Sequence, residues 1–503
     1  MDLIASGANV FYTGSAGVGK STVLRAFVKR LKEDGKEVNI IAPTGRAALD
    51  INGGTFWTYA GWTPDHMKRP IEKLEQAARW SKFVSMRLQK TDVLVVDEIS
   101  MVENQHFERL NRVMKAARGS DKAFGGVQIV VTGDFCQLPP VKPFRTCMEC
   151  GLEMRVDIQA QTYTCPNPRH PVFKDEDKWA FRSEAWKEAK FQHKHLTQIH
   201  RQNDNTFIEI LQKCRIGKPF DHKDLEILAN HPFNVENAVR LFSTREEVKR
   251  INDMEFNKLK TRKVTYKTLD HFNLNPSHGN LRWKGDRDRP DGPIKGLSDH
   301  RFEPQLELKE GMLVVLLVNL SIESGLVNGS QGIITGFERF DPKDAAKVAN
   351  QNKKSGRTGS PAGLDEPIGG DYGALKEDNI KAFMEQARER EFPIVKFTNG
   401  IVRTITCDCT VNELGDEKPY SLISRTQIPL LPAWAMTVHK SQGMTLSRVS
   451  VDLSRTFEDG QMYVALSRAT SLDGLEVKGL EKAYKGTGNQ QVKEFLLEKF
   501  GIK

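Results

Sequence analysis

The chain has 503 residues, a hydrophobic fraction of 39%, seven cysteines and a formal net charge of +9 at pH 7. That length suits several domains rather than one core, and the longest apolar run, residues 312–318, falls far short of the roughly 20 residues that cross a bilayer, which excludes a helical membrane protein. An odd cysteine count argues against a disulfide framework and for a reducing, intracellular setting, and the excess positive charge, interspersed with acidic residues, favours a polyanionic partner without proving one.

Taken in chain order, the first element is a strand over 9–13, followed at once by "GSAGVGKS", residues 14–21. The spacing G-x-x-x-x-G-K-S, with a strand before and a helix after, is that of a phosphate-binding loop. Gly14, Ser15, Ala16, Gly17, Val18, Gly19, Lys20, Ser21 and Thr22 are the expected ATP-binding residues. Backbone N–H groups and the helix N-terminus hold the phosphates, Lys20 reaches the terminal ones, and Ser21 can ligate Mg²⁺. The helix that follows puts Val23, Leu24, Phe27, Val28 and Leu31 on one face. No secretory signal precedes the loop, and the abrupt start suggests an extension before residue 1.

Apolar strands are expected over 38–44, 92–98 and 127–134, with a helix over 106–118; alternation of this kind predicts a parallel sheet with ligands at its carboxyl edge. The second of these strands ends in Asp97 and Glu98: Asp97 would hold the metal and Glu98 would orient and deprotonate the attacking water. Next comes Cys147-x2-Cys150, then Cys165 and His170, enough ligands for one tetrahedral Zn²⁺, though a surface insertion with free thiols has the same appearance. A second alternating region opens at 239–253 and resumes at 434–443 and 447–454. Short strands between them suggest an inserted all-β module. Within it 341–373 is polar and Gly-rich and is expected to be a mobile loop, as is 273–300.

The segments "GSAGVGKS", "APTGRAALDINGGTFWTYAG", "DVLVVDEISMV", "GDFCQLPPV", "LTQIHRQND", "WAMTVHKSQGMTL" and "YVALSRATSLDGL" stand in the order found in Pif1-like DNA helicases of superfamily 1B, and the chain resembles that family from Gly14 to about Leu475. The resemblance implies an α/β fold of two RecA-like P-loop domains with an inserted SH3-like β module, the Cys/His insertion lying outside the shared core. The corresponding division is a first RecA-like domain over 1–195, carrying a wedge-like subdomain at about 56–90 and the Cys/His insertion at about 144–178. The second RecA-like domain covers 196–300 and 426–503, split by the β module at 301–425.

By the same resemblance, Lys20, Asp97, Glu98, Gln137, Arg201 and Arg468 carry catalysis. Gln137 is similar to the family's γ-phosphate sensor, and Arg201 and Arg468 match the arginines that reach the phosphates from the second domain; a surface ion pair is the plainer alternative for either. Pro43, Thr44, Thr55, Phe56, Thr437, His439 and Ser441 would contact single-stranded DNA, while Phe56, Trp57 and Trp62 are equally suited to core packing. The implied activity is ATP-dependent, Mg²⁺-assisted movement on single-stranded DNA, 5′ to 3′. It would serve replication, repair, recombination or telomere maintenance in the nucleus or mitochondrion, as a monomer at junctions or forks, G-quadruplexes or RNA–DNA hybrids. A RecD- or TraA-like helicase and a catalytically inactive nucleic-acid scaffold are the rival readings. One departure stands out: none of the first thirteen residues is the glutamine that reads adenine in related helicases.

Overall fold

Every residue of β1 (Val10–Gly14) is buried, and such a strand needs cover on both faces. In the computed structural model, which describes all residues except 45, 46, 49, 50, 52, 63, 81, 234, 291, 299, 322, 323, 340–371, 387–390, 415–418, 455–458, 481–487 and 503, it lies inside a six-stranded sheet. Its companions are β2 (Val38–Ala42), β3 (Gly54–Thr55), β4 (Val93–Val96) and β5 (Gln128–Thr132). Three short strands, β6 (Arg155–Asp157), β7 (Thr162–Thr164) and β8 (Phe173–Lys174), form an antiparallel sheet of their own before β9 (Gln192–Leu196) completes the first. The order is β3-β2-β4-β5-β1-β9 and every pair is parallel, with Val10 opposite Val130. The loops after β1, β4 and β5 therefore open along one edge.

Period-two alternation sorts the sheet's side chains into two cores. Val10, Tyr12, Ile40, Ala42, Val93, Val95 and Val130 pack with Leu24, Phe27, Val28 and Leu31 of helix Lys20–Glu33. Phe11, Ile41, Leu94, Val96, Ile129 and Val131 face the other way, onto Phe107, Leu110, Val113 and Met114 of helix Asn104–Arg118. Residues 56–90 form helices: Phe56–Ala60, the 3₁₀ turn Pro64–Lys68, Ile71–Trp80 and Lys82–Lys90.

The second α/β sheet begins with β10 (Val239–Phe242), after which the chain departs through β11 (Val264–Lys267), β12 (Leu269–Asn273), β13 (Gln305–Leu308), β14 (Leu313–Leu316), β15 (Gln331–Arg339), β16 (Glu391–Phe397), β17 (Val402–Thr404), β18 (Asp408–Leu414), β19 (Ser421–Gln427) and β20 (Leu430–Pro432). These make three antiparallel sheets, β17-β16-β15-β14-β20, β12-β19-β18 and β11-β13. The chain then returns for β21 (Ala435–Thr437), β22 (Val449–Asp452) and β23 (Leu475–Lys478), giving the parallel order β21-β10-β22-β23.

Three expectations need correction. Strand pairing carries the β insertion back to Val264, because β11 pairs with β13 and β12 with β19, so the boundary at 301 is too late. The stretch 273–300 is packed: Ile294 and Leu297 join Leu414 and Ile423 in a small core, and buried Arg425 binds Asp270 bidentately at 2.8 and 2.7 Å while donating to the Leu297 carbonyl. Helix Gln490–Phe500, expected to finish the second domain, places Phe495 flat on Phe181 at 4.3 Å and within 6.0 Å of Phe11, against the first sheet. The loop expected to be mobile at 341–373 lies almost wholly outside the described residues. Among the described residues no helix is long and apolar enough to cross a membrane.

Candidate nucleotide and nucleic-acid site

The loop after β1 turns through Gly17 at φ 84° and Gly19 at φ 80°, conformations open to glycine, and Gly19 caps the helix that starts at Lys20. The Lys20 ammonium donates to the carbonyls of Gly14 and Ser15, at 2.8 and 3.0 Å, and is thereby folded over the loop. Burial lowers its pKa, opposed by Asp134, Glu98 and Asp97. Asp97 and Glu98 follow β4; the Asp97 carboxylate accepts from the Glu98 amide at 2.8 Å, and Glu98 takes a left-handed backbone at φ 51°. Burial raises the Glu98 pKa, with Lys20 and Arg468 pulling the other way.

Residues from later in the chain close over this loop. The His200 amide donates to the Gly17 carbonyl at 2.9 Å, and a Cβ on Gly17 would lie 2.6 Å from that of Arg201. Arg201 donates to the Ser467 carbonyl at 2.9 Å. Arg468, 2% exposed, donates to the carbonyls of Val464, Ser441 and Met444 and to the Ser467 hydroxyl. No carboxylate is among those contacts, and burial together with the Arg201 charge pushes the Arg468 pKa down to about 9. Gln137 is buried, its amide bonded to the Asp134 carbonyl at 2.8 Å, beside Gly460.

Four contacts were missed in the sequence. The Tyr463 hydroxyl accepts from the Ala16 amide at 2.7 Å, Gln212 and Ser15 exchange hydrogen bonds at 2.8 and 3.0 Å, and Gln442 donates to the Glu98 carboxylate at 3.2 Å. Asp134 and Arg215 form a fully buried bidentate pair, 3.0 Å on each arm. Tyr463 and Gln442 lie inside "YVALSRA" and "HKSQG", so the segments were flagged even though these side chains were not; Arg215 carried no local signal.

A groove of about 210 Å³ runs past Pro43, Thr44, Phe56, Trp57, Trp62, Met101, Val102, Glu103, His106, Pro140 and Val141. Phe56 and Trp62 are both buried and line the groove, so core packing and a wall role coexist in them. Trp57 is partly buried, with the His106 ring edge-on at 5.6 Å. Thr44 and Thr55 use their hydroxyls to accept from the Ala47 and Thr58 amides. In the other half, Thr437 caps helix Val438–Ser441, and His439 is partly buried. Ser441, expected to face DNA, is instead fully buried, its hydroxyl bonded to the Val438 carbonyl and its own carbonyl to Arg468. Cys147, Cys150, Cys165 and His170 come together, their ligand atoms all within 4.8 Å of one another.

Comparison with known proteins agrees with this architecture. Residues 2–149 match the PIF1-like helicase family and residues 295–337 the 2B domain of DNA helicase Pif1. The ATP-dependent DNA helicase Pif1 of Psychrobacter is 34% identical over 494 residues, covering 95% of this chain and 67% of that protein. The crystal structure of Pif1 helicase from Candida albicans is 30% identical, covers 99% of this chain and 97% of that one, and superimposes with a TM-score of 0.63. Bacteroides Pif1 in complex with ADP-AlF3 and single-stranded DNA, at 23% identity, shares the fold over all of this chain and 96% of that one, with a TM-score of 0.54. The chain spans about three fifths of the length of several other curated relatives. On a relative one third identical along nearly the whole sequence, and on a fold of two parallel α/β sheets, the chain belongs to the Pif1 helicase family.

Proposed function

We propose that this chain is an ATP-dependent motor on single-stranded DNA, a DNA helicase like the relatives it matches. One observation carries the reading: Lys20, on the loop after β1, and Arg201 and Arg468, from later in the chain, converge around that loop, Arg468 buried and the other two half-buried, the two arginines bonded mainly to carbonyls. The hydrogen bonds of these three cations go to carbonyls and a hydroxyl rather than to a carboxylate, and a nucleoside triphosphate would supply the direct anionic partner. Ser21, at the start of the loop helix, and Asp97 offer the hard oxygen donors that suit Mg²⁺, which when bound would neutralise charge on the phosphates.

In this reading Glu98 takes the proton of the attacking water, while Arg201 and Arg468 stabilise the charge that develops on the transferred phosphoryl group. Gln137 lies where the two halves meet and senses that group. Loss of the terminal phosphate frees both arginines and lets the halves part, a γ-phosphate switch. The 210 Å³ groove grips the strand, with Trp57 offering a stacking face and Pro43, Thr44 and Phe56 in its wall, and Thr55, Thr437 and His439 would add contacts outside it. Forks, movement 5′ to 3′, G-quadruplex or hybrid substrates, and genome maintenance in nucleus or mitochondrion belong to the same proposal. Within it the chain divides into two RecA-like domains, a β insertion beginning near Val264 and a Cys/His insertion.

Strand displacement tests it. With ATP and Mg²⁺, a duplex carrying a 5′ single-stranded tail should be opened, a 3′-tailed duplex should not, and Glu98→Gln should abolish opening. An absence of opening of any tailed duplex by folded protein would refute the helicase reading and favour a scaffold; opening from the 3′ tail would refute the polarity.

A further inference from the structure

The segment between β5 and β9 carries a core of its own: buried Phe144, Cys147, Met154 and Cys165, with Cys150, Tyr163 and Phe173 packed around them. A core that small does not hold a fold unaided. The four ligand-bearing side chains meet inside it. His170 Nδ1 lies 3.4 Å from the Cys147 sulfur and 3.3 Å from that of Cys165, and the Cys150 and Cys165 sulfurs are 3.4 Å apart. Four bonds of roughly 2.0 to 2.3 Å in a tetrahedron set ligand atoms roughly 3.4 to 3.8 Å from one another, whereas a disulfide would bring two sulfurs to roughly 2.05 Å. The surroundings are ordered for ligation. Gly151, at φ 76°, closes a turn in which its amide donates to the Cys147 carbonyl at 2.8 Å. The Asn167 backbone amide points at the Cys165 sulfur at 3.4 Å, and its side-chain nitrogen lies 3.1 Å from His170 Nε2.

We propose that Cys147, Cys150, Cys165 and His170 bind one structural Zn²⁺, and that the metal-bound knuckle sets the wall of the DNA groove. A closed set of three thiolates and one imidazole is a structural zinc set, with no position left for a substrate. Two routes lead from it to the groove. In the first, the knuckle docks on residues 56–90: a Cβ on Gly151 would lie 2.1 Å from the Lys68 carbonyl oxygen, and the Met148 carbonyl accepts from the Ile71 amide at 2.9 Å, at the start of helix Ile71–Trp80. Arg112 spans the joint, 2.7 Å from Glu75 and 3.6 Å from Glu149. In the second, the Phe144 amide donates to the Glu103 carboxylate at 2.8 Å; that carboxylate also faces His106 at 3.5 Å, and His106 abuts Trp57. Glu103, His106 and Trp57 all line the groove. The coupling rests on the reading of that groove as the DNA site; the metal site does not.

Metal content, single-stranded DNA affinity and DNA-free ATP hydrolysis are to be measured on the full chain and on a Cys150→Ser, Cys165→Ser variant. About one Zn²⁺ per chain is expected, replaceable by Co²⁺ with the visible bands of a tetrahedral thiolate site. The variant should lose the metal and roughly tenfold or more in DNA affinity, with DNA-free hydrolysis unchanged. Chelator-stripped wild type should show the same loss and recover with Zn²⁺ alone, which separates metal loss from misfolding. Failure of the wild type to hold Zn²⁺ or Co²⁺, or equal retention by the variant, would overturn the site. Metal loss with DNA affinity unchanged would overturn the coupling. Absence of DNA binding by zinc-loaded wild type would contradict the groove reading and the coupling together, while metal content still decides the site.

Discussion

Glu98 holds a left-handed backbone conformation that costs a non-glycine residue about 1–3 kcal/mol. The turn aims its carboxylate at the site, where it meets Lys20, Arg468 and Gln442. In the proposed mechanism its base form is the working one, and burial moves its pKa upward despite the neighbouring cations. The acid limb of kcat against pH should therefore lie above the ordinary glutamate value of about 4.3, with hydrolysis falling as pH drops through it. Glu98→Gln should remove that limb and lower kcat by roughly 10² to 10⁴, while nucleotide binding, followed by a fluorescent analogue, persists. A residual rate that kept the same acid limb would assign the proton to another group. At this scale the sequence was legible where chemistry imposes spacing: the loop lysine Lys20 and the strand-end carboxylates Asp97 and Glu98 do come together. It misled at Ser441, whose place in "HKSQG" suggested a DNA contact although the side chain is turned inward to complete its own helical turn.

Between elements, the loop after β1 and the segment carrying Arg201 touch backbone to backbone at Gly17. Gly17→Ala should strain a φ of 84° and push Arg201 outward, so KM for ATP should rise and kcat fall together; a change in KM alone would mean that Arg201 stays in place. The Asp134–Arg215 pair ties the loop after β5 to helix Asn205–Arg215. Burial works to raise the Asp134 pKa, and the charges of Arg215 and Lys20 outweigh it, so the net shift is downward. The pairing thus stabilises the fold above the unfolded value of about 3.9 and is lost as pH falls through the lowered folded value. Arg215→Met should strand a buried carboxylate and cost about 3–5 kcal/mol in urea unfolding at pH 7; a cost under about 1 kcal/mol would mean that water reaches Asp134. Apolar runs marked β1, β4 and β5, and a helical stretch marked helix Asn104–Arg118, because a strand covered on both faces is apolar along its length. Pairing of β11 and β12 with strands far along the chain leaves no local mark, which is why the sequence places the start of the β insertion too late and reads as a mobile loop over 273–300.

Across the molecule, the stretch from Glu98 to His106 has the proposed catalytic carboxylate at one end and the groove wall at the other, and Gln442 reaches the same carboxylate from the segment carrying His439. In the proposed mechanism strand binding and hydrolysis thereby share one group. Gln442→Ala should cut the ratio of DNA-stimulated to DNA-free hydrolysis several-fold with little change in the DNA-free rate; equal losses in both would make Gln442 a general support of the site. The two-domain plan was legible because seven motifs keep their order along the chain. The docking of helix Gln490–Phe500 on the first sheet was not, since an amphipathic helix does not say which apolar face it covers.

The most direct measurement is the steady-state rate of ATP hydrolysis with and without single-stranded DNA, for the wild type and for Lys20→Ala. Strong stimulation by DNA, abolished by the substitution, is expected of a motor whose cations close on the triphosphate while the groove holds a strand. A rate indifferent to DNA in folded protein, or one that survives the loss of Lys20, would contradict it.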